Sequence, residues 1–271
     1  MARANRHFIP GHIWHLTHRC HKREFLLRFS KVRNRWIELL LEAKQRYHLS
    51  ILNFNAICNH IHLILFDASG SESIPRAMQF IAGRIAQEYN RRKNRQGAFW
   101  QDRYHATAIE SGEHLWRCLV YVDLNMVRAG VMDHPCQWKW SGYHEIQKAK
   151  IRYRLIDHSR LLQFLNTDTQ ETLARAHKNW IESQLNAGPE RQEHFSKSIA
   201  VGSKPFIQKV QQALGTLGIG KRMAEAPAAG YQLKEATAKY GSATSNLAES
   251  HQSVWPVTNT IPWKLEKTLN L

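Results

Sequence analysis

The spacing of apolar and polar positions in the first half of the chain predicts short strands alternating with amphipathic helices. Alternation favours a strand at about 12–19, and apolar residues at helical spacing favour a helix at about 31–47. Two apolar runs follow, 50–57 and 61–66, with only a few polar residues between them, which is typical of a β-hairpin. This region is therefore expected to form a strand, a helix and a β-hairpin, in that order.

The pattern continues with a second helix, a fourth strand and a third helix. Pro75 near its start suits a helix over 74–92, and a short strand is predicted at about 104–109. Ser111 is a plausible N-cap for a helix that runs to about residue 128. The order β-α-β-β-α-β, then α, predicts an α+β fold with a ferredoxin-like or RRM-like antiparallel sheet and helices on one face.

The second half of the chain has a weaker pattern. Its Gly- and Ala-rich stretch at 213–230 is typical of a less tightly built region. We therefore predict a folded domain over 1–150 and a C-terminal extension over 151–271 that is mainly helical or irregular and partly flexible.

The location of the protein is inferred from what the sequence lacks. No apolar segment resembles a secretory signal, and no run of about eighteen apolar residues predicts a membrane helix. The cysteines are scattered and never form C-x-x-C, which disfavours a zinc knuckle or a redox pair. Free thiols favour a cytoplasmic protein. The four cysteines are Cys20, Cys58, Cys118 and Cys136.

Charge suggests the class of partner. With 38 Lys+Arg against 22 Asp+Glu, the 271-residue chain has a formal net charge of +16, which favours a polyanion. Residues 1–165 hold 26 of the basic and 13 of the acidic residues, so this region alone carries +13. The 43% hydrophobic content excludes a disordered basic tail as the whole protein.

The segment His60-Ile61-His62 stands at the start of an apolar strand. Residues at i and i+2 of a strand point to the same face, so both imidazoles are expected to project together. Two neutral imidazoles at this spacing can bind a divalent metal ion. The alternative is a pair of ordinary strand histidines with local hydrogen bonds.

The predicted third helix carries Tyr121, Asn125 and Arg128 at i, i+4 and i+7, which lie on one helical face. A phenol can attack a phosphodiester when a metal polarises the phosphate, and an asparagine oxygen can be a metal ligand. The alternative is an ordinary solvated helix face. The two motifs support each other only if this helix packs beside the histidine strand.

Four motifs in order, NHIHLIL, GAFWQDRYHA, YVDLNMVRAGVM and WKWSGY, resemble those of the HUH single-tyrosine transposases. Within this insertion-sequence transposase-like superfamily, the chain is most similar to the REP-associated tyrosine transposases of bacterial chromosomes. The resemblance runs from about His12 to about Tyr143. In the rest of the chain, only a weak similarity is visible, in the segment AVGSKPFIQKVQQAL.

The resemblance implies a role for each matched residue. His60 and His62 would occupy the HUH motif and bind Mg²⁺ or Mn²⁺, with Asn125 as the third protein ligand. Tyr121 would be the nucleophile. Asn rather than Gln at position 125 implies the REP-associated branch, whereas Met126 departs from the proline usual in that branch, with no consequence for the chemistry.

The implied reaction is cleavage and rejoining of single-stranded DNA through a 5′-phosphotyrosine and a free 3′-hydroxyl. The implied substrates are short palindromic hairpins with a conserved tetranucleotide at the foot. The resemblance also implies a bacterial protein, with its substrate in the nucleoid, that acts as a monomer or a homodimer.

Basic residues near the motifs are candidates for phosphate contacts. Phe99 and Trp100 offer stacking surfaces for unpaired bases, or pack in the core. The candidate DNA-binding residues are Arg91, Arg92, Arg95, Arg103, Arg128 and Lys139.

Three alternatives stay open on the sequence. The first is a non-catalytic protein that binds single-stranded nucleic acid on the same fold, although the central strands lack its paired aromatic signature. The second is another HUH endonuclease, a replication initiator or a relaxase, which usually has a third histidine or a second tyrosine. The third is a metallohydrolase, for which Asp67 is the only carboxylate close to the histidines in sequence.

Overall fold

Four antiparallel strands form the centre of the structure, a computed structural model that describes residues 9–68, 72–188, 192–226 and 229–235. They lie in the order β2-β3-β1-β4, which is the order of a ferredoxin-like sheet, so the predicted α+β class is confirmed. Their bounds are β1 Ile13–Arg19, β2 Ser50–Ala56, β3 His60–Phe66 and β4 His105–Ile109.

Two helices pack on the apolar face of this sheet, as the pattern predicted. They are α1 (Ser30–Tyr47) and α2 (Ser73–Lys93), within about a residue of the predicted bounds. Trp36 of α1 is buried against Phe54 of β2, with ring centroids 6.5 Å apart. Burial of large apolar side chains on this face contributes most of the stability of the layer, because each one contributes about 1.5–3 kcal/mol.

The opposite face of the sheet is covered by α3 (Glu113–Asp123), the four-residue helix α4 (Asn125–Arg128) and elements that follow them. Asn55 on β2 donates to the Val122 carbonyl oxygen at 2.8 Å, which ties α3 to the sheet. The predicted single helix is interrupted at Leu124, whose ψ of 4° departs from helical geometry.

The predicted N-cap is wrong. The helix begins at Glu113 after Gly112, whose φ of 71° favours glycine, and no side chain caps the helix. Ser111 lies one position before this turn.

The C-terminal part extends the sheet to seven strands in the order β2-β3-β1-β4-β5-β7-β6. Strand β5 pairs parallel with β4, and the two remaining strands pair antiparallel. The sequence did not predict these strands, since β5 has only three residues and depends on pairing with distant segments. The remaining elements are α5 Tyr143–Gln147, α6 His158–Leu165, α7 Gln170–Ala187, α8 His194–Lys197, β5 Ala200–Gly202, α9 Lys204–Ala213, β6 Arg222–Ala226 and β7 Gly230–Lys234.

The described residues on both sides of position 150 belong to one compact unit, without a break at the predicted boundary between 1–150 and 151–271. Two tryptophans attach the segment before position 150 to β2 and α1. The indole of Trp138 donates to the Ala56 carbonyl oxygen at 3.2 Å, and that of Trp140 donates to the Asn34 side chain at 2.7 Å.

No helix in the described ranges is both long and apolar enough to cross a membrane.

Candidate active site

The two histidines of β3 project from the polar face of the sheet, because they stand two positions apart on one strand. The His60 and His62 ring centroids are 4.8 Å apart. His62 is only 1% exposed, whereas His60 lies at the sheet margin and is partly exposed. The side chain of Asn59 meets Nδ1 of His60 at 2.7 Å.

The tyrosine helix packs directly on this pair of histidines. The ring of Tyr121 meets His62 edge-on, with centroids 5.8 Å apart. Asn125 Nδ2 donates to His62 Nε2 at 2.9 Å. The condition that joins the two sequence motifs, a helix packed beside the histidine strand, is therefore met.

A third histidine lies under the same site and was missed by sequence reasoning. His15 of β1 is fully buried, and its ring lies edge to edge with that of His62, with centroids 5.1 Å apart and planes 4° apart. Its Nε2 lies 2.9 Å from His62 Nδ1, and its Nδ1 donates to the Phe195 carbonyl oxygen at 2.7 Å. The only sequence signal was the second histidine of HIWHLTHR, on a strand of unknown register.

The electrostatics of the site favour uncharged imidazoles. Burial lowers the pKa of His15 to about 4. Burial, together with the neighbouring His60 and His15, lowers the pKa of His62 well below its usual value. A neutral imidazole is the form that ligates a metal ion, so this environment suits a ligand role for His62.

The C-terminal part of the chain covers the tyrosine. The Tyr121 hydroxyl lies 3.0 Å from Ser196 Oγ on α8, and its ring packs against Phe195 with centroids 5.3 Å apart. Arg128 lies over the same ring at 4.4 Å and donates to the Tyr121 carbonyl oxygen. Sequence reasoning missed Ser196, because a lone serine 75 positions after the tyrosine carries no local signal.

Comparison with known proteins finds one family model that matches part of the chain. Residues 9–123 match the family model described as "Transposase IS200 like", a segment that contains both histidines and the tyrosine. The chain is therefore similar to the IS200-like transposases over residues 9–123, which are less than half of its 271 residues.

Two solved structures are similar to this chain. A REP-associated tyrosine transposase bound to a REP hairpin is 18% identical, with a TM-score of 0.47, over 57% of this chain and 90% of that one. A candidate transposase from Deinococcus radiodurans is 16% identical, with a TM-score of 0.32, over 48% of this chain and 92% of that one. No curated protein matches the chain significantly.

Few residues of the protein are arranged to be ligands of a metal ion. In the described ranges, no group of three or more His, Cys, Asp or Glu side chains is arranged to hold one. His60 and His62 would therefore need Asn125 as the third protein ligand. Rotation of the Asn125 amide would turn Oδ1 toward His62 Nε2, and a cation between these two lone-pair atoms would remove their repulsion. Two imidazoles and one amide oxygen would form a mixed donor set, in which imidazole suits transition-metal ions and oxygen suits Mg²⁺ or Mn²⁺.

Among the predicted DNA-binding residues, Arg95 and Arg128 are partly buried and contact other side chains of the protein. Arg95 donates to the Asn90 side chain at 3.2 Å and to Glu24 at 3.3 Å, and Arg128 lies against Tyr121. The exposed members are Arg91, Arg92, Arg103 and Lys139.

The aromatic pair of the second motif packs within the protein. Phe99 is 2% exposed, and Trp100 stacks on His18 with centroids 4.0 Å apart while its indole donates to the Ala82 carbonyl oxygen. In this arrangement they serve the core and not a stacking surface for DNA bases.

Proposed function

We propose that this protein cleaves and rejoins single-stranded DNA at hairpin sequences, with Tyr121 as nucleophile and a divalent metal ion as cofactor. The observation that carries the proposal is the meeting of two distant motifs. Asn125 of the tyrosine helix is 2.9 Å from His62, and the phenol ring packs on the same imidazole. Such an assembly of nucleophile and candidate ligands is what a phosphoryl-transfer site requires.

His60, His62 and Asn125 would hold Mg²⁺ or Mn²⁺. When bound, the ion supplies Lewis-acid stabilisation of negative charge on the scissile phosphate. The protein contributes the buried imidazole of His62, whose pKa is lowered by burial, and a helix that keeps the phenol next to it.

In the proposed step, the Tyr121 phenol loses its proton and its oxygen attacks the phosphorus atom. The bond between phosphorus and the 3′ oxygen breaks, and that oxygen leaves and takes up a proton. The products are a 5′-phosphotyrosine and a free 3′-hydroxyl, and rejoining is the reverse attack by a 3′-hydroxyl. No oxidant, reductant or nucleotide is consumed, because the phosphotyrosine conserves the phosphodiester energy.

We further propose that the substrate is a palindromic hairpin of the repetitive extragenic type, as in the REP-associated branch. Two features support this: Asn at position 125, and the excess of positive charge in residues 1–165. The exposed Arg91, Arg92 and Lys139 would contact phosphates and hold the strand.

The test is covalent capture of DNA. The full chain is incubated with a labelled single-stranded hairpin and Mn²⁺, and the products are separated under denaturing conditions. Wild type is expected to give a denaturant-stable protein–DNA adduct, and Tyr121→Phe none. Tyr47→Phe is the matched control, since this tyrosine packs beside Phe80 in the α1–α2 layer.

His60→Ala is expected to abolish the adduct while leaving much of the DNA affinity, because phosphate contacts dominate binding. If wild type binds the hairpin but forms no adduct with any divalent ion, the protein is a binding module. If Tyr121→Phe forms as much adduct as wild type, another residue is the nucleophile.

A further inference from the structure

A chain of three hydrogen bonds runs beneath the candidate active site, from the C-terminal part to the tyrosine helix. It joins the Phe195 carbonyl oxygen to His15 Nδ1 at 2.7 Å and His15 Nε2 to His62 Nδ1 at 2.9 Å. It ends where His62 Nε2 accepts from Asn125 at 2.9 Å. Both imidazoles are almost fully buried, at 0% and 1% exposure, so water does not compete for these bonds.

The direction of these bonds follows from their first member. A carbonyl oxygen only accepts, so the proton of the His15 ring must be on Nδ1. A neutral His15 then has a lone pair on Nε2 and accepts from His62, which places the His62 proton on Nδ1. His62 Nε2 is left with the lone pair, and it faces Asn125.

We propose that His15 is a positioning residue, which holds His62 in the tautomer that directs the Nε2 lone pair toward Asn125. This inference rests on the proposed function, in which His62 binds a metal ion. A metal-binding imidazole needs its second nitrogen anchored as a donor, and such partners typically change metal affinity 10- to 100-fold. Here the anchor is a second histidine and not a carboxylate.

The anchor depends on the C-terminal part of the chain. The Phe195 side chain is fully buried, and α8 packs against β1 and β4, which sets the direction of the Phe195 carbonyl group. The same short helix brings Ser196 to the tyrosine hydroxyl. A region with no role assigned from the sequence thus sets the proton position of a buried imidazole 133 residues earlier in the chain.

The test reads the tautomer directly. Long-range ¹H–¹⁵N spectra of the metal-free full chain distinguish a protonated from an unprotonated ring nitrogen. For wild type, the expected spectrum has the His62 proton on Nδ1 and a lone pair on Nε2. A His62 proton on Nε2 would overturn the proposal, and this measurement needs no variant, metal ion or DNA.

Two variants test the role of His15. His15→Phe keeps a buried ring but has no acceptor for His62, so the Nε2–H tautomer is expected to appear and Mn²⁺ affinity to fall about 10- to 100-fold. His15→Gln offers an amide that can both accept and donate, and it is expected to restore most of the Nδ1–H tautomer and of the affinity.

The matched control is His105→Phe, on the neighbouring strand, whose imidazole donates to the Ser198 carbonyl oxygen at 3.0 Å. It is expected to leave the His62 tautomer and Mn²⁺ affinity unchanged. Unaltered tautomer and affinity in a folded His15→Phe variant would overturn the positioning role. Failure of the proposed function is recognised separately, because a missing Tyr121 adduct would leave the His62 tautomer as it is.

Discussion

The hydroxyl oxygen of Tyr121 lies 3.0 Å from Oγ of Ser196, although 75 positions separate the two residues in the chain. The tyrosine is only 7% exposed, and its ring packs on Phe195. The C-terminal part therefore holds the phenol in a closed arrangement. In the proposed reaction, attack of Tyr121 on a DNA phosphate would require this contact to open.

Removal of the serine hydroxyl should ease that opening. Ser196→Ala removes one hydrogen bond worth about 0.5–1.5 kcal/mol, so the rate of adduct formation is expected to rise about 2- to 10-fold. The rate is measured with a labelled hairpin and Mn²⁺ by timed denaturation. Ser159→Ala, an exposed serine at the start of α6, is the control. Slower adduct formation in Ser196→Ala would instead mean that Ser196 assists the phenol.

The basic end of α2 should hold DNA without reading its sequence. Arg91→Ala combined with Arg92→Ala is expected to weaken binding to all single strands alike. The slope of log affinity against log salt should fall by about 1.4, since each lost contact with single-stranded DNA contributes about 0.7. Arg76→Ala, in the first turn of the same helix and paired with Glu72, is the control. An equal loss in the control would contradict a localised contact surface.

A buried hydrogen-bond cluster should hold the tyrosine helix against α7. His177 Nε2 donates to Asp123 Oδ2 at 2.9 Å, and Asn53 Nδ2 lies 3.2 Å from both carboxylate oxygens. Because His177→Leu leaves a buried carboxylate without one of its donors, the free energy of unfolding is expected to fall by about 1–3 kcal/mol.

Urea unfolding measures this loss as a lower midpoint at constant m-value. Lys178→Ala, an exposed neighbour on α7, should leave the midpoint unchanged. A loss below about 1 kcal/mol in His177→Leu would show that the pair does not hold the two helices together.

The thiols should differ sharply in reactivity. Burial raises the pKa of Cys20 to about 12 and that of Cys118 well above its ordinary value. The thiolate is the reactive form, so a disulfide reagent at pH 8 is expected to modify exposed Cys136 first and the two buried thiols only after unfolding. Cys136→Ser should remove the fast phase. Rapid modification of Cys118 in the folded protein would contradict this order.

Local periodicity was enough to predict the central elements of the fold. The strand with His60 and His62 follows from an apolar run, and the helix over 73–93 from apolar residues at helical spacing. That Tyr121 and Asn125 share a face likewise follows from their spacing along one segment of the chain. Such patterns are visible in a sequence because they depend only on neighbours a few residues apart.

The C-terminal strands could not be predicted in this way. Strand β5 has three residues, and its main-chain pairing with β4 joins Ala200 to Ala108. A strand this short has too few positions for alternation to be recognised, so its identity depends on the sheet edge that receives it.

The sequence by itself determined the candidate site residues of this protein, His60, His62, Tyr121 and Asn125, since each stands in a recognisable local motif. Only the tertiary structure decided how they meet. It brought His15 to His62 across 47 positions and Phe195 to His15 across 180. The physical reason is that strand register and helix packing, which no local pattern encodes, set which buried donor faces which acceptor.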